Sequence, residues 1–181
     1  ALGRGNGPLL VRRRGEQTSL RRIAVPGLHT TANALIGRLF PDIEERVAML
    51  FSDIAEAVER GEYDGGVLIH EGRFVYERRN LELVADLGLE WERRMGLPLP
   101  LGSIVAANDL ADDVVERVER LIRRSIEYAF EHPEQSRDFI KEHARELEDD
   151  VIAKHIKLFV NDFSLSLGEE GRRAVAELTV R

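Results

Sequence analysis

The chain has 181 residues, 43% of them apolar and 33% charged, enough for one domain with a sizeable core or for two small lobes. The net charge of -7 argues against nucleic acid as the main partner, because phosphate binding wants a basic face. With no cysteine there are no disulfides, thiolate zinc sites or cysteine nucleophiles, and no apolar run approaches the roughly 20 residues that span a bilayer, so no membrane partner is expected.

In chain order, Leu9-Leu10-Val11 follows Pro8 and reads as a strand entering from a turn. Residues 12–17 form a charged loop. Ile23-Ala24-Val25 is a second strand, closed by the turn signal Pro26-Gly27. A helix follows, with Thr30 or Thr31 as its cap and Leu35, Ile36 and Leu39 as its apolar face. Another helix is predicted over 52–60, stopping at Gly61. Residues 63–65 form a turn and 66–69 a short, fully buried strand. Residues 81–86 read as a strand, 89–95 as a helix, 97–102 as a rigid Pro-containing segment and 103–107 as a strand. Strands alternating with helices predict the α/β class with a mainly parallel sheet. From 111 onward the pattern is helical: 111–131, broken by Pro133, then 135–146, 151–160 and 169–178.

Ligands bind beyond the carboxyl ends of strands in such sheets. Two features fall there. The loop and helix start at 26–33 offer free first-turn amides and the hydroxyls of Thr30 and Thr31, a fair site for a carboxylate or phosphate. The alternative is that one threonine caps and the other packs. The second feature is His70, at the exit of the 66–69 strand. Histidine titrates near neutrality and serves as general acid or base. A hydrogen-bonded structural histidine remains the competing reading. Glu71 could orient its ring and Arg73 could hold an anion, or both could be loop charges. His132, His143 and His155 lie in the helical tail without the spacing of a metal pair, so no metal site is expected.

Five motifs occur in order. They are Ala1-Leu2-Gly3-Arg4-Gly5 with Gly7-Pro8-Leu9; Val25-Pro26-Gly27 with His29-Thr30-Thr31-Ala32; Leu68-Ile69-His70-Glu71 with Arg73-Phe74; Gly96-Leu97-Pro98-Leu99-Pro100-Leu101-Gly102; and Val160-Asn161 with Phe163-Ser164-Leu165. Together, and over essentially the whole chain, they resemble the 1,4-dihydroxy-6-naphthoate synthases of the futalosine route to menaquinone. The resemblance implies a two-lobed fold like that of type II periplasmic binding proteins, used by a cytoplasmic enzyme without metal or organic cofactor. It implies conversion of cyclic dehypoxanthinylfutalosine, a small molecule with carboxylate and hydroxyl groups, to 1,4-dihydroxy-6-naphthoate. His70 would be the base, and Thr30, Thr31, Gly3 and Arg4 would touch substrate.

The same resemblance implies a crossing segment at 1–15, a second α/β lobe at 16–103, and a return crossing with C-terminal helices at 104–181 packing on the first lobe. Chains of the family begin with a further segment bearing a Pro-Asn-Asp motif. Most of an N-terminal lobe is therefore expected to be absent here, leaving apolar helix faces exposed. Chorismate dehydratase of the same route, or a non-catalytic solute- or effector-binding protein, would suit the same scaffold.

Overall fold

The structure is a computed structural model that describes residues 1–70, 73, 76–143, 152–153, 156–157 and 159–179. The chain divides into two compact units, one of residues 4–99 and 174–181, the other of residues 1–3 and 100–173.

The first unit is built on a five-stranded sheet. Its strands are β2 (Leu9–Arg13), β3 (Arg22–Val25), β4 (Glu45–Ala48), β5 (Gly65–Leu68) and β6 (Leu81–Asp86), and β1 (Leu2–Gly3) precedes them in the chain. The order across the sheet is β4-β3-β5-β2-β6. β3 runs parallel to both β4 and β5, with Ala24 opposite Val47 on one side and Gly66 on the other. β2 runs antiparallel to β5 and to β6, with Leu9 opposite Leu68 and Asp86. Four strands thus point one way and β2 points back between two of them. The mainly parallel sheet read from the sequence is corrected to a mixed one, because β2 inserts antiparallel between β5 and β6.

Helix α1 (Thr31–Leu39) follows β3, α2 (Ile54–Glu59) follows β4, and α3 (Leu87–Met95) follows β6. The alternation of side chains along β2 divides the core. Leu9 and Val11 join Ala24, Ile54, Val58, Leu68 and Leu81 in one cluster on the α2 side. Leu10 points to the other face, where α1 and α3 pack and Leu35, Ile36, Leu39 and Trp91 are buried. Helix α2 ends at Gly61, whose φ of 76° is the left-handed stop expected there.

Residues 4–15 belong to the sheet unit and include β2. Two sequence expectations differ from the structure. β4 was not anticipated: Glu45-Arg46-Val47-Ala48 is a mostly exposed edge strand whose polar residues hide the pattern. Residues 103–107 form no strand, and Ile104 and Val105 are more than 80% exposed, with nothing among the described residues to pair with them.

In the second unit, the amides of Leu101 and Gly102 both donate to the Ala1 carbonyl, at 2.9 and 3.3 Å. Helix α4 (Asp112–Glu131) carries Asp112 and Asp113 in its first turn, where the helix dipole favours acids, and ends before Pro133. Val114, Val118, Leu121 and Tyr128 along it are exposed. Helix α5 (Arg137–His143) covers part of the expected 135–146; residues 144–146 lie outside the described ones. Of 151–160, residues 152–153, 156–157 and 159 are helical, while 151, 154, 155 and 158 lie outside the described residues. Helix α6 (Asp162–Leu165) has a capping box in which Asn161 Oδ1 accepts from the Phe163 amide and Ser164 Oγ from the Asn161 amide, each at 3.1 Å. Helix α7 (Gly168–Thr179) follows. Among the described residues, no helix is long and apolar enough to cross a membrane.

Candidate active site at the carboxyl edge of the sheet

The strand directions bring several segments to one edge of the sheet unit. β3, β4 and β5 are parallel neighbours, so the residues after each emerge side by side. β6 points the same way, and β2 begins at that edge, because Leu9 lies opposite both Leu68 and Asp86. The edge therefore carries the start of α1, Phe51 beyond β4, His70 beyond β5, Asp86 ending β6, and the segment leading into β2.

His70 is exposed and has a φ of 51°, the only positive φ at a non-glycine among the described residues. Its imidazole meets Phe51 edge-on, and no described residue hydrogen-bonds either ring nitrogen. Among the described residues, nothing competes with a ligand for those nitrogens. Glu71, considered as a partner for the ring, lies outside the described residues.

The two threonines have different duties. Thr30 caps α1: its Oγ accepts from the Asn33 amide at 3.2 Å and donates to the Gly27 carbonyl at 2.7 Å. The cap takes the donor and one of the two acceptor positions of that hydroxyl. Thr31 is the first residue of α1, half-buried, and its hydroxyl has no hydrogen-bond partner among the described residues. Beside it the first-turn amides have no carbonyl within the helix to bond. Of the pair, Thr31 is the one whose hydroxyl no described residue engages.

Arg4 is an exposed residue before β2, its guanidinium 3.9 Å from Glu92 of α3, whose other oxygen takes the Gly5 amide at 2.5 Å. Gly3 lies in β1 and belongs to the other unit.

Sequence reasoning missed Phe51 and Asp86, and left Arg73 undecided. Asp86 caps α3, with Oδ1 accepting from the Gly88 and Leu89 amides at 2.9 and 3.2 Å. Its Oδ2 takes Arg73 Nη2 at 3.2 Å, and the same nitrogen donates to Asn6 Oδ1 at 3.1 Å. The segment before β2 can lie this close to α3 because Gly7 meets Gly88: a Cβ on Gly7 would stand 2.1 Å from the Gly88 nitrogen. The Asp86-Leu87-Gly88-Leu89 cap signal was visible in the sequence; its ion partner, 13 residues away, was not. Among the described residues, no three His, Asp or Glu side chains converge as a metal site would need.

Comparison with known proteins fits this architecture. The family model described as "Menaquinone biosynthesis" matches residues 1–181. The chain is 48% identical over 180 residues to a protein of Thermus thermophilus named 1,4-dihydroxy-6-naphtoate synthase, covering 98% of this chain and 65% of that one. It is 40% identical over 187 residues to a protein of the same name from Streptomyces coelicolor, covering all of this chain and 66% of that one. The chain thus spans just under two thirds of the length of these curated relatives. The crystal structure of protein AF1704 from Archaeoglobus fulgidus superposes with a TM-score of 0.82 at 35% identity, over 98% of this chain and 67% of that one. The chain belongs to the menaquinone biosynthesis family.

Proposed function

We propose that this chain carries the proton-abstracting base of a 1,4-dihydroxy-6-naphthoate synthase, which converts cyclic dehypoxanthinylfutalosine to 1,4-dihydroxy-6-naphthoate. The observation that carries the reading is the position of His70: exposed, with ring nitrogens that no described residue engages, at the strand edge where helix α1 begins. The two similar proteins of that name support the choice of reaction.

The chemistry asked of the site is elimination. The imidazole of His70 takes a proton from a carbon beside a carbonyl. The freed electron pair becomes a carbon–carbon double bond, and the leaving oxygen departs with its own bonding pair. The first-turn amides of α1 and the Thr31 hydroxyl are suited to hold a carboxylate or ring hydroxyl meanwhile, since the helix dipole favours negative charge there. Fixing base and substrate in this way is the positional part of the rate gain. The two-lobed, periplasmic-binding-protein-like reading, the substrate contacts of Gly3 and Arg4, and a cytoplasmic location belong to the same proposal.

The test is His70→Asn in the full-length protein. Loss of a general base costs about 10²–10⁴-fold in turnover, while substrate affinity measured by calorimetry stays close to wild type. Turnover near the wild-type rate in this variant would overturn the reading.

A further inference from the structure

His70 holds a left-handed φ of 51°. A residue with a Cβ adopts that region at some cost and keeps it only where its surroundings impose it. The support lies three residues on. The Arg73 amide donates to the His70 carbonyl at 3.3 Å, closing a turn. The Arg73 guanidinium then leaves the turn and reaches Asp86 and Asn6, at 3.2 and 3.1 Å.

The far end of this link is itself immobilised. Asp86 gives one oxygen to Arg73 and the other to two amides of α3, so its carboxylate cannot swing without uncapping the helix. The two side chains are 19% and 11% exposed, against 65% and 68% for a helix-surface pair such as Arg120 and Glu116. Shielding of that kind preserves an ion pair that open water would loosen. The link joins the turn after β5, the junction of β6 with α3, and the segment before β2.

We propose that the Arg73–Asp86 pair is a tether holding the His70 turn in its working position, which makes Arg73 and Asp86 positioning residues for proton abstraction. This rests on the reading of His70 as the base. One nitrogen, Nη2, serves both acceptors, and its two N–H bonds are fixed in the guanidinium plane, whereas an ammonium is a point charge on a flexible stem.

The test is a mutant cycle in the full-length enzyme, read by kcat, KM and amide hydrogen exchange over residues 66–76. Arg73→Met lowers kcat by about 10–100-fold with KM little changed, the effect expected of a base misplaced by an ångström or less. Asp86→Asn keeps the cap acceptor and loses the charge, so it follows Arg73→Met, while Arg73→Lys falls between. In a His70→Asn background Arg73→Met causes no further loss, since no imidazole is left to misplace. Exchange over 66–76 quickens in Arg73→Met while that over β3 does not. Unchanged kcat in both Arg73→Met and Asp86→Asn overturns the proposal. So does an equal loss with and without His70, which marks a general structural role. If His70→Asn itself stays active, the reading of the base fails, and unchanged exchange over 66–76 in Arg73→Met then overturns the tether separately.

Discussion

The imidazole of His70 meets the ring of Phe51 edge-on, with centroids 5.3 Å apart and planes at 67°. The contact steadies one edge of the imidazole and engages neither of its nitrogens. Edge-to-face pairs contribute about 0.5–1.5 kcal/mol. Phe51→Ala should therefore lower kcat by roughly two- to thirteenfold, with Phe51→Leu intermediate, a conversion in which 1.36 kcal/mol is tenfold. Steady-state kinetics beside a thermal melt checks this. An unchanged kcat would mean that the imidazole needs no support from Phe51.

Adjacent threonines should separate into stability and binding. Thr30→Ala removes the α1 cap and should cost about 1 kcal/mol of unfolding free energy, with Thr30→Ser close to wild type. Thr31→Val removes a hydroxyl that makes no hydrogen bond among the described residues, so urea unfolding should barely move while KM rises. Equal stability losses at both positions would contradict the division.

Trp91 is fully buried in α3 and donates its indole N–H to the Pro98 carbonyl at 3.1 Å. Trp91→Ala should cost about 3–5 kcal/mol through the cavity it leaves. Trp91→Phe should cost less, about 1–3 kcal/mol, chiefly for the carbonyl left without a donor. It is the only tryptophan, so urea unfolding of the variants is followed by far-ultraviolet circular dichroism.

Acid should weaken the pairing of β2 with β6 through Glu82. The Arg12 guanidinium, 2.6 Å away, and the Gly15 amide hold the Glu82 carboxyl below the usual carboxylate range. A carboxyl lowered in the folded state adds stability that is complete above its unfolded value and fades as pH falls through its folded value. The stability difference between wild type and Glu82→Gln should accordingly be full at neutral pH and vanish in acid. Urea titrations across pH check it; a difference constant with pH would exclude this role for Glu82.

Much of the sheet unit was legible locally. Leu9-Leu10-Val11, Ile23-Ala24-Val25 and the 81–86 strand are apolar runs between turn signals, and each became a strand. Thr30 capped its helix and Pro133 ended another, because caps and proline act within one turn. His70 was identifiable as the residue leaving a buried strand. The apolar content of 103–107 misled, since composition signals burial only where a partner strand exists.

By itself, then, the sequence determined where most of the strands and helices of the sheet unit lie, though not β4, which histidine leaves the buried strand, and the family. Only the tertiary structure decided that β2 runs back between β5 and β6, and that Phe51, Thr31, His70, Arg73 and Asp86 share one edge. The reason is range. Propensity and capping act over a few residues, whereas pairing partner, register and an ion pair such as Arg73 with Asp86 depend on contacts between segments distant in the chain.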